Sequence, residues 1–405
     1  MAKTLVYQLY PLSWVNFERM TQHLARIEAL GADYVWLSPV YPSPLHDHGY
    51  DISNYMAINH TLGDMEDFDR FVEEANKRGI KVLMDLVLNH TSTRHSWFCK
   101  KPEYYIWESS VQPGCDDVVL HSDWHNLFDG RSTWKYEQKR DACYLHLFHA
   151  EQADLNWFPD GHNINTALVQ EFQQIVDFWI KKHGVSGFRL DVPQSINKDF
   201  GAKTMEFRDL LDGDKSIEVI NAIFPGPDTP FLMVECFDPS FGEITKKYTE
   251  ETSANFVLNV LLKDQISEGE SKFLRLISRQ SRNPRFMLDL ESHDSPRFPS
   301  RENATLENMV WCMFNSDAKG ICLYQGQELG LSNPNKRQLP DVRMLKLDAW
   351  TAMRYARGER LSDLRPTSRA NARLLIHPKE YEKQEADPGS YLHLVRWWIN
   401  HWKNS

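Results

Sequence analysis

The hydrophobic pattern of this chain repeats one unit: an apolar stripe at helical spacing, a glycine, and then a short continuous apolar run. Met20, Leu24, Ile27 and Leu30 trace the first helix face, Gly31 ends it, and Tyr34–Leu37 follows as a strand. Phe68, Phe71, Val72 and Ala75 trace the second, closed by Gly79 ahead of Ile80–Met84. The third runs over 167–183 with Leu168, Phe172, Ile175, Val176, Trp179 and Ile180 on one face, and Gly184 stands where a C-terminal cap belongs. Helix, glycine and buried strand in succession is the rhythm of βα units around a parallel sheet covered on both faces. Further buried strands are expected at Thr4–Leu9, Gly187–Val192, Phe231–Glu235, Asn255–Leu258, Phe286–Leu290 and Ile321–Gln325. Together they make eight, which predicts an α/β fold of the (β/α)8 TIM-barrel kind.

The rhythm breaks once. Between His90 and about Leu155 the chain is polar and aromatic, carries turn signals at Pro113-Gly114 and Asp129-Gly130, and shows no helical period. This predicts a small lobe inserted after strand 3 over 91–154, with 1–90 and 155–405 forming the barrel. His121 and His125 in that lobe lie four apart, but without a third ligand they read as solvated or structural rather than metal-binding.

Composition narrows the function. A net charge of −10 and the absence of a Lys/Arg-rich run argue against a nucleic-acid partner. No stretch reaches about 18 uninterrupted apolar residues, and the start MAKTLVYQLYPLSW lacks the features of a signal peptide, so a cytoplasmic protein with no membrane association is expected. The six cysteines are scattered without a CxxC pair, which signals neither a zinc site nor a disulfide framework. Thirteen tryptophans and fifteen tyrosines supply flat apolar faces of the kind that sugar rings stack on.

The candidate chemistry lies at the C-terminal ends of the expected strands, which all open onto one face of a barrel. Strand three leads into Asp85-Leu86-Val87-Leu88-Asn89-His90, strand four carries Arg189 and Asp191 on one face, strand five ends in Glu235, and His293-Asp294 follow strand seven. Converging carboxylates are the machinery of glycoside hydrolysis, one attacking the anomeric carbon or activating water while another protonates the leaving oxygen. Arg189 beside Asp191 would keep that carboxylate ionised, which suits Asp191 to the nucleophile and Glu235 to the acid, and leaves Asp294 for sugar hydroxyls.

The strings YQLYPLSW (7–14), SPVYPSPLHDHGYDISNY (38–55), DLVLNHTS (85–92), YLHLFHAEQADLNW (144–157), GFRLDV (187–192), VEC (234–236), SHDSPR (292–297) and YQGQELG (324–330) resemble the α-amylase-type glycoside hydrolase family, in particular its oligo-1,6-glucosidase and dextran-glucosidase branch. The resemblance implies that Asp191 is the nucleophile, Glu235 the acid/base and Asp294 the carboxylate that stabilises the transition state. It further implies that Arg189 orients the nucleophile, that His90 and His293 hydrogen-bond the sugar, and that Tyr50 and Phe148 form aromatic walls. Asp51 and Arg373 would grip the non-reducing end, and Val192 after the nucleophile goes with α-1,6 specificity in that branch. The expected activity is thus a retaining, exo-acting α-glucosidase on short oligosaccharides. Alternatives are a glucosyl-transferring or isomerising enzyme, an α-1,4-specific glucosidase, or a non-catalytic sugar-binding protein. Oligomeric state stays open.

Three departures qualify the resemblance. The branch carries a DxNxDG-like calcium loop between the first strand and helix, and Ser13–Glu18 lacks it, so no metal and no cofactor are expected. Val234 replaces the usual glycine before the acid, and Cys236 follows it. The chain stops at Trp397-Trp398-Ile399-Asn400-His401-Trp402 in what reads as the eighth helix, with no C-terminal β-sandwich domain expected.

Overall fold

A computed structural model describes residues 2–14, 16–109, 124–128, 130–200, 210–211, 213–261, 270–294, 306–331 and 378–405. Eight parallel strands close on themselves: β1 (Thr4–Leu9), β2 (Tyr34–Leu37), β3 (Lys81–Val87), β9 (Gly187–Asp191), β10 (Phe231–Cys236), β11 (Phe256–Asn259), β12 (Phe286–Asp289) and β13 (Gly320–Tyr324), with β1 pairing to both β2 and β13. Helices α1 (Phe17–Ala29), α2 (Met65–Lys77), α4 (Thr166–Asp177), α5 (Lys215–Ile223), α6 (Glu243–Glu251), α7 (Glu270–Gln280) and α8 (Leu306–Phe314) alternate with them. After the last strand come α9 (Pro378–Glu385) and α10 (Tyr391–Asn404).

Strand alternation builds two cores. Val6, Trp36, Leu83, Met233, Phe256, Leu258, Met287 and Cys322 fill the barrel interior, while Leu5, Tyr7, Leu9, Val35, Val82 and Met84 pack outward against the helices. Two glycines allow close approaches, one to a neighbouring backbone and one to an interior ring. A Cβ on Gly187 would lie 2.0 Å from the Phe231 carbonyl oxygen, and one on Gly320 would lie 2.5 Å from the Phe256 ring. The helix expected over 167–183 forms, but its end widens into a π-helical turn, Phe178–Lys182, where buried Trp179 donates to the Tyr55 carbonyl at 2.8 Å. Strand β3 runs three residues further than its apolar pattern, so Asp85 lies within the strand.

Between β3 and α4 the chain makes β4 (His90–Ser92), the short helix α3 (Ser96–Lys100), β5 (Trp107–Glu108), β6 (Trp134–Glu137), β7 (Ala142–Leu145) and β8 (Gln152–Asp154). Antiparallel pairing of β4 with β8 forms a stem, and β5, β7 and β6 form a three-stranded sheet with its own small core of Ile106, Trp124, Trp134, Cys143, Leu145 and Leu147.

Because Gly187 opens the strand that carries Arg189, the Gly187→Ala variant drives a methyl group into the β10 backbone. The expected loss is about 3 kcal/mol of unfolding free energy, at the upper end for overpacking. Urea unfolding measures it, and a variant as stable as the parent would contradict the close approach.

Candidate active site

Three neighbouring strands place the charged centre. Arg189 on β9 pairs in register with Asp85 on β3, and the Leu190–Val234 pair carries β9 and β10 onward to Asp191 and Glu235. Arg189 is buried, and its guanidinium is shared: Nη1 reaches Asp85 Oδ1 at 2.8 Å and also Asp191 Oδ1, while Nη2 reaches Glu235 Oε2 at 2.6 Å. Trp36 lies under the cation, 5.0 Å from ring centre to guanidinium carbon, and donates its indole N–H to Asp85 Oδ2 at 3.1 Å. The expectation that Arg189 singles out Asp191 is therefore corrected, since the same cation grips Glu235 as well.

Burial governs the protonation of this cluster. It pushes Glu235 up to about 7, against the pull of Arg189 and with help from Asp191. It likewise raises Asp191 to about 7, opposed by Arg189 and reinforced by Asp85, and raises Asp85 to about 6. Three carboxylates around one cation in a dry site hold a shared proton to neutral pH, as a group that must donate one requires.

Tyr50 and His293 form the adjoining wall. Their rings stack at 5.3 Å, the Tyr50 hydroxyl donates to Asp85 Oδ2 at 3.0 Å, and it lies 2.7 Å from His293 Nε2. Gln8 Nε2 stands 2.8 Å from His293 Nδ1, so the network assigns the imidazole proton to Nε2, where it faces Tyr50 and, at 3.2 Å, Asp294 Oδ2. Asp294 is the most exposed of these carboxylates, with a side-chain exposure of 28% against 11% for Asp191 and 5% for Glu235.

Val192 leaves the strand directly after Asp191 with φ 32° and ψ 56°, left-handed values that a β-branched side chain resists. In that conformation its N–H donates to Glu235 Oε2 at 3.0 Å. A residue read from sequence only through its side chain thus also acts through its backbone.

On the lobe side, Phe148 packs against His90 at 5.1 Å between ring centres. His90 is buried, and burial together with the Lys198 charge lowers it to about 3, so it works as a neutral ring. Asn89 Nδ2 stands 3.1 Å from its Nδ1 and Gln152 Nε2 stands 2.9 Å from its Nε2.

Asp51 differs from its expected role. It is fully buried and accepts from Ser43 Oγ at 2.6 Å, the His46 N–H at 3.0 Å and the Asp47 N–H at 3.2 Å. Its carboxylate organises loop 43–51 rather than facing a sugar, because those donors surround it. Arg373 and His121 lie outside the described residues. Asp85 stands among the strand-end residues that the sequence collects, but without a role until Arg189 is seen to grip it; Gln8 and Gln152 are site residues that motif reading passed over. Among the described residues no group of three His, Cys, Asp or Glu side chains could hold a metal ion.

A model of the alpha-amylase catalytic domain matches residues 14–356. Trehalose-6-phosphate hydrolase of Escherichia coli (strain K12) is 30% identical over 387 residues, spanning 84% of this chain and 67% of that protein. Oligo-1,6-glucosidase of Bacillus cereus is 39% identical over 220 residues, half of this chain and only 37% of that protein. The crystal structure of Bacillus licheniformis trehalose-6-phosphate hydrolase superimposes with a TM-score of 0.81 at 27% identity, covering 100% of this chain and 84% of the other.

The buried cluster makes stability depend on pH. Glu235 has its pKa raised from 4.5 to about 7 on folding, so its protonation stabilises the fold fully below about 4.5 and that contribution is lost as pH rises through about 7. A shift of that size corresponds to about 3 kcal/mol. Glu235→Gln stays neutral and escapes the loss. Its melting temperature is expected to exceed the parent's at pH 8, with the gap closing toward pH 5; an equal gap at both values would show that the carboxyl is not protonated on folding.

Proposed function

The chain belongs to the alpha-amylase family, and from that premise we propose that it is a retaining α-glucosidase that removes glucose from the non-reducing end of short α-glucosides, with α-1,6 linkages preferred. The observation that carries the proposal is the single guanidinium bridging Asp191 and Glu235. Bridging keeps the two carboxyl groups in the short separation class, on the order of 5 Å, where no water fits between them and the sugar.

The chemistry then runs in two displacements. Asp191 attacks the anomeric carbon as Glu235 delivers its proton to the leaving glycosidic oxygen, giving a glucosyl–Asp191 ester. Glu235, now ionised, takes a proton from water as that water opens the ester, and the α-configuration is restored. Asp294, beside His293, binds hydroxyls of the glucosyl ring as charge develops. Loop 43–51 closes the pocket behind that ring: Asp51 folds it, Asp47 Oδ2 accepts from Gln152 on the lobe at 3.0 Å, and the His48 carbonyl accepts from the Tyr10 hydroxyl at 3.0 Å.

The linkage preference rests on Val192. An α-1,6-linked partner is displaced by one exocyclic carbon relative to an α-1,4-linked one, and a branched side chain beside the nucleophile crowds the second pose more. Such a steric difference is worth about 1–3 kcal/mol, or roughly 10- to 200-fold. The 30% identity with the Escherichia coli enzyme over 84% of the chain favours one other substrate, trehalose 6-phosphate, cleaved by the same carboxylates.

Four measurements test the reading. Asp191→Asn is expected to lower turnover by several powers of ten with the fold intact, and the first sugar released by the parent enzyme is expected to be the α-anomer; a β-anomer would exclude the covalent route. Values of kcat/KM for isomaltose, maltose and trehalose 6-phosphate, compared between the parent and Val192→Ala, are expected to favour isomaltose and to show that preference shrinking in the variant. Equal selectivity in both proteins would remove Val192 from the argument, and a parent that favours trehalose 6-phosphate would replace the substrate assignment. Product analysis of a longer oligosaccharide is expected to show glucose alone at early times, and internal cleavage would show that loop 43–51 does not close the pocket.

A further inference from the structure

Lys198 is a buried cation outside the charged centre. The chain after Asp191 turns through a short 3-10 helix, Pro193–Ile196, and brings Lys198 back beneath the lobe. One ammonium there meets three separate segments. It donates to Asn89 Oδ1 at 2.7 Å beyond the end of β3, to the Ser195 carbonyl at 2.7 Å in the turn behind the nucleophile, and it pairs with Asp154 Oδ2 at 3.2 Å on the lobe strand β8. Asn89 completes the ring by donating to Asp154 Oδ1 at 3.0 Å.

Each of these partners leads into the site. Asn89 Nδ2 also faces His90 Nδ1 at 3.1 Å. Ser195 donates its N–H at 3.1 Å and its hydroxyl at 2.6 Å to the Val192 carbonyl, on the residue whose N–H binds Glu235. Asp154 lies in register with His90 across the β4–β8 stem. A buried ion pair is weak evidence for stability, because desolvation offsets much of its attraction. What two directed hydrogen bonds and an ion pair from one cation do supply is a fixed geometry between the elements they join.

We infer that Lys198 is a positioning residue: its ammonium clasps the turn behind the nucleophile to the lobe stem and to Asn89, and so sets Val192 and His90 around the glucosyl pocket. The inference rests on the glucosidase reading for its kinetic readout and on the fold alone for its structural one.

The test uses Lys198→Met, and beside it the double variant Lys198→Met/Asp154→Leu, which removes the whole buried pair and leaves no isolated charge. The clasp predicts that the double variant melts within a few degrees of the parent, yet has kcat for 4-nitrophenyl α-D-glucopyranoside lowered about 100-fold, the loss typical of a misplaced reacting group, with a smaller change in KM. It also predicts faster amide exchange over 192–198 and 152–155 in that variant. A double variant with parental melting and kcat within threefold of the parent overturns the inference, as does one that is unfolded, which would assign the pair to stability alone. If the parent enzyme shows no glucosidase activity the functional reading fails by itself, and exchange then decides: unchanged protection over 192–198 in the folded double variant overturns the clasp, and lost protection upholds it.

Discussion

The guanidinium of Arg189 is the constraint on which the rest of this site depends. A carboxylate in a dry interior is costly without a partner, and here Asp85, Asp191 and Glu235 are all buried around the same cation. Removing Arg189 would leave three acids facing one another, and each would have to protonate or draw in water. With it in place, none of the three is fully compensated, so the cluster retains a proton into the neutral range. That partial compensation is useful. Glycoside cleavage needs one ionised and one protonated carboxyl side by side, and a cluster with too little positive charge for all its acids provides both from the same residue types.

The barrel alone does not finish the site. Its strand ends supply Asp85, Arg189, Asp191 and Glu235 in adjacent registers, while the lobe and loop 43–51 supply enclosure. Besides the apolar packing of Trp97 on Tyr55 and Phe172, these outer parts are joined by buried polar links: Gln152 reaches both Asp47 and His90, and Lys198 reaches both Asp154 and Asn89. Directional bonds add what that packing does not, because they fix distances where hydrophobic contact tolerates sliding.

Much of this was legible in the sequence because it follows from periodicity. The eight strands were marked by apolar runs, three of them after capping glycines, and the arginine and aspartate two residues apart had to share a face of β9. The elements that escaped depend on tertiary context. Asp51 in a Gly-Tyr-Asp turn looks like a ligand for hydroxyls until the backbone N–H groups of His46 and Asp47 are seen wrapped around it. A lysine in a polar stretch reads as solvated, and Lys198 is buried only because the β4–β8 pairing carries Asp154 over it from 44 positions earlier in the chain. Arg189 beside Asp191 looked selective for that carboxylate because neighbours in sequence are visible and neighbours across strands are not.

Val192 shows most plainly how backbone and side chain divide the labour. Its left-handed conformation would suit glycine, which could donate the same N–H to Glu235 at no steric cost. Instead the position holds a β-branched residue, for which that conformation is strained, and it precedes Pro193, which itself steers the preceding residue away from the ordinary helical region. The strain is held in place by the bonds at both ends of the residue, from its N–H to Glu235 and from Ser195 to its carbonyl. A strained residue that persists where an unstrained one would serve the backbone equally well places the reason in the side chain. On the proposed glucosidase reading that side chain stands next to the nucleophile, where a difference of one methyl group bears directly on which second sugar fits.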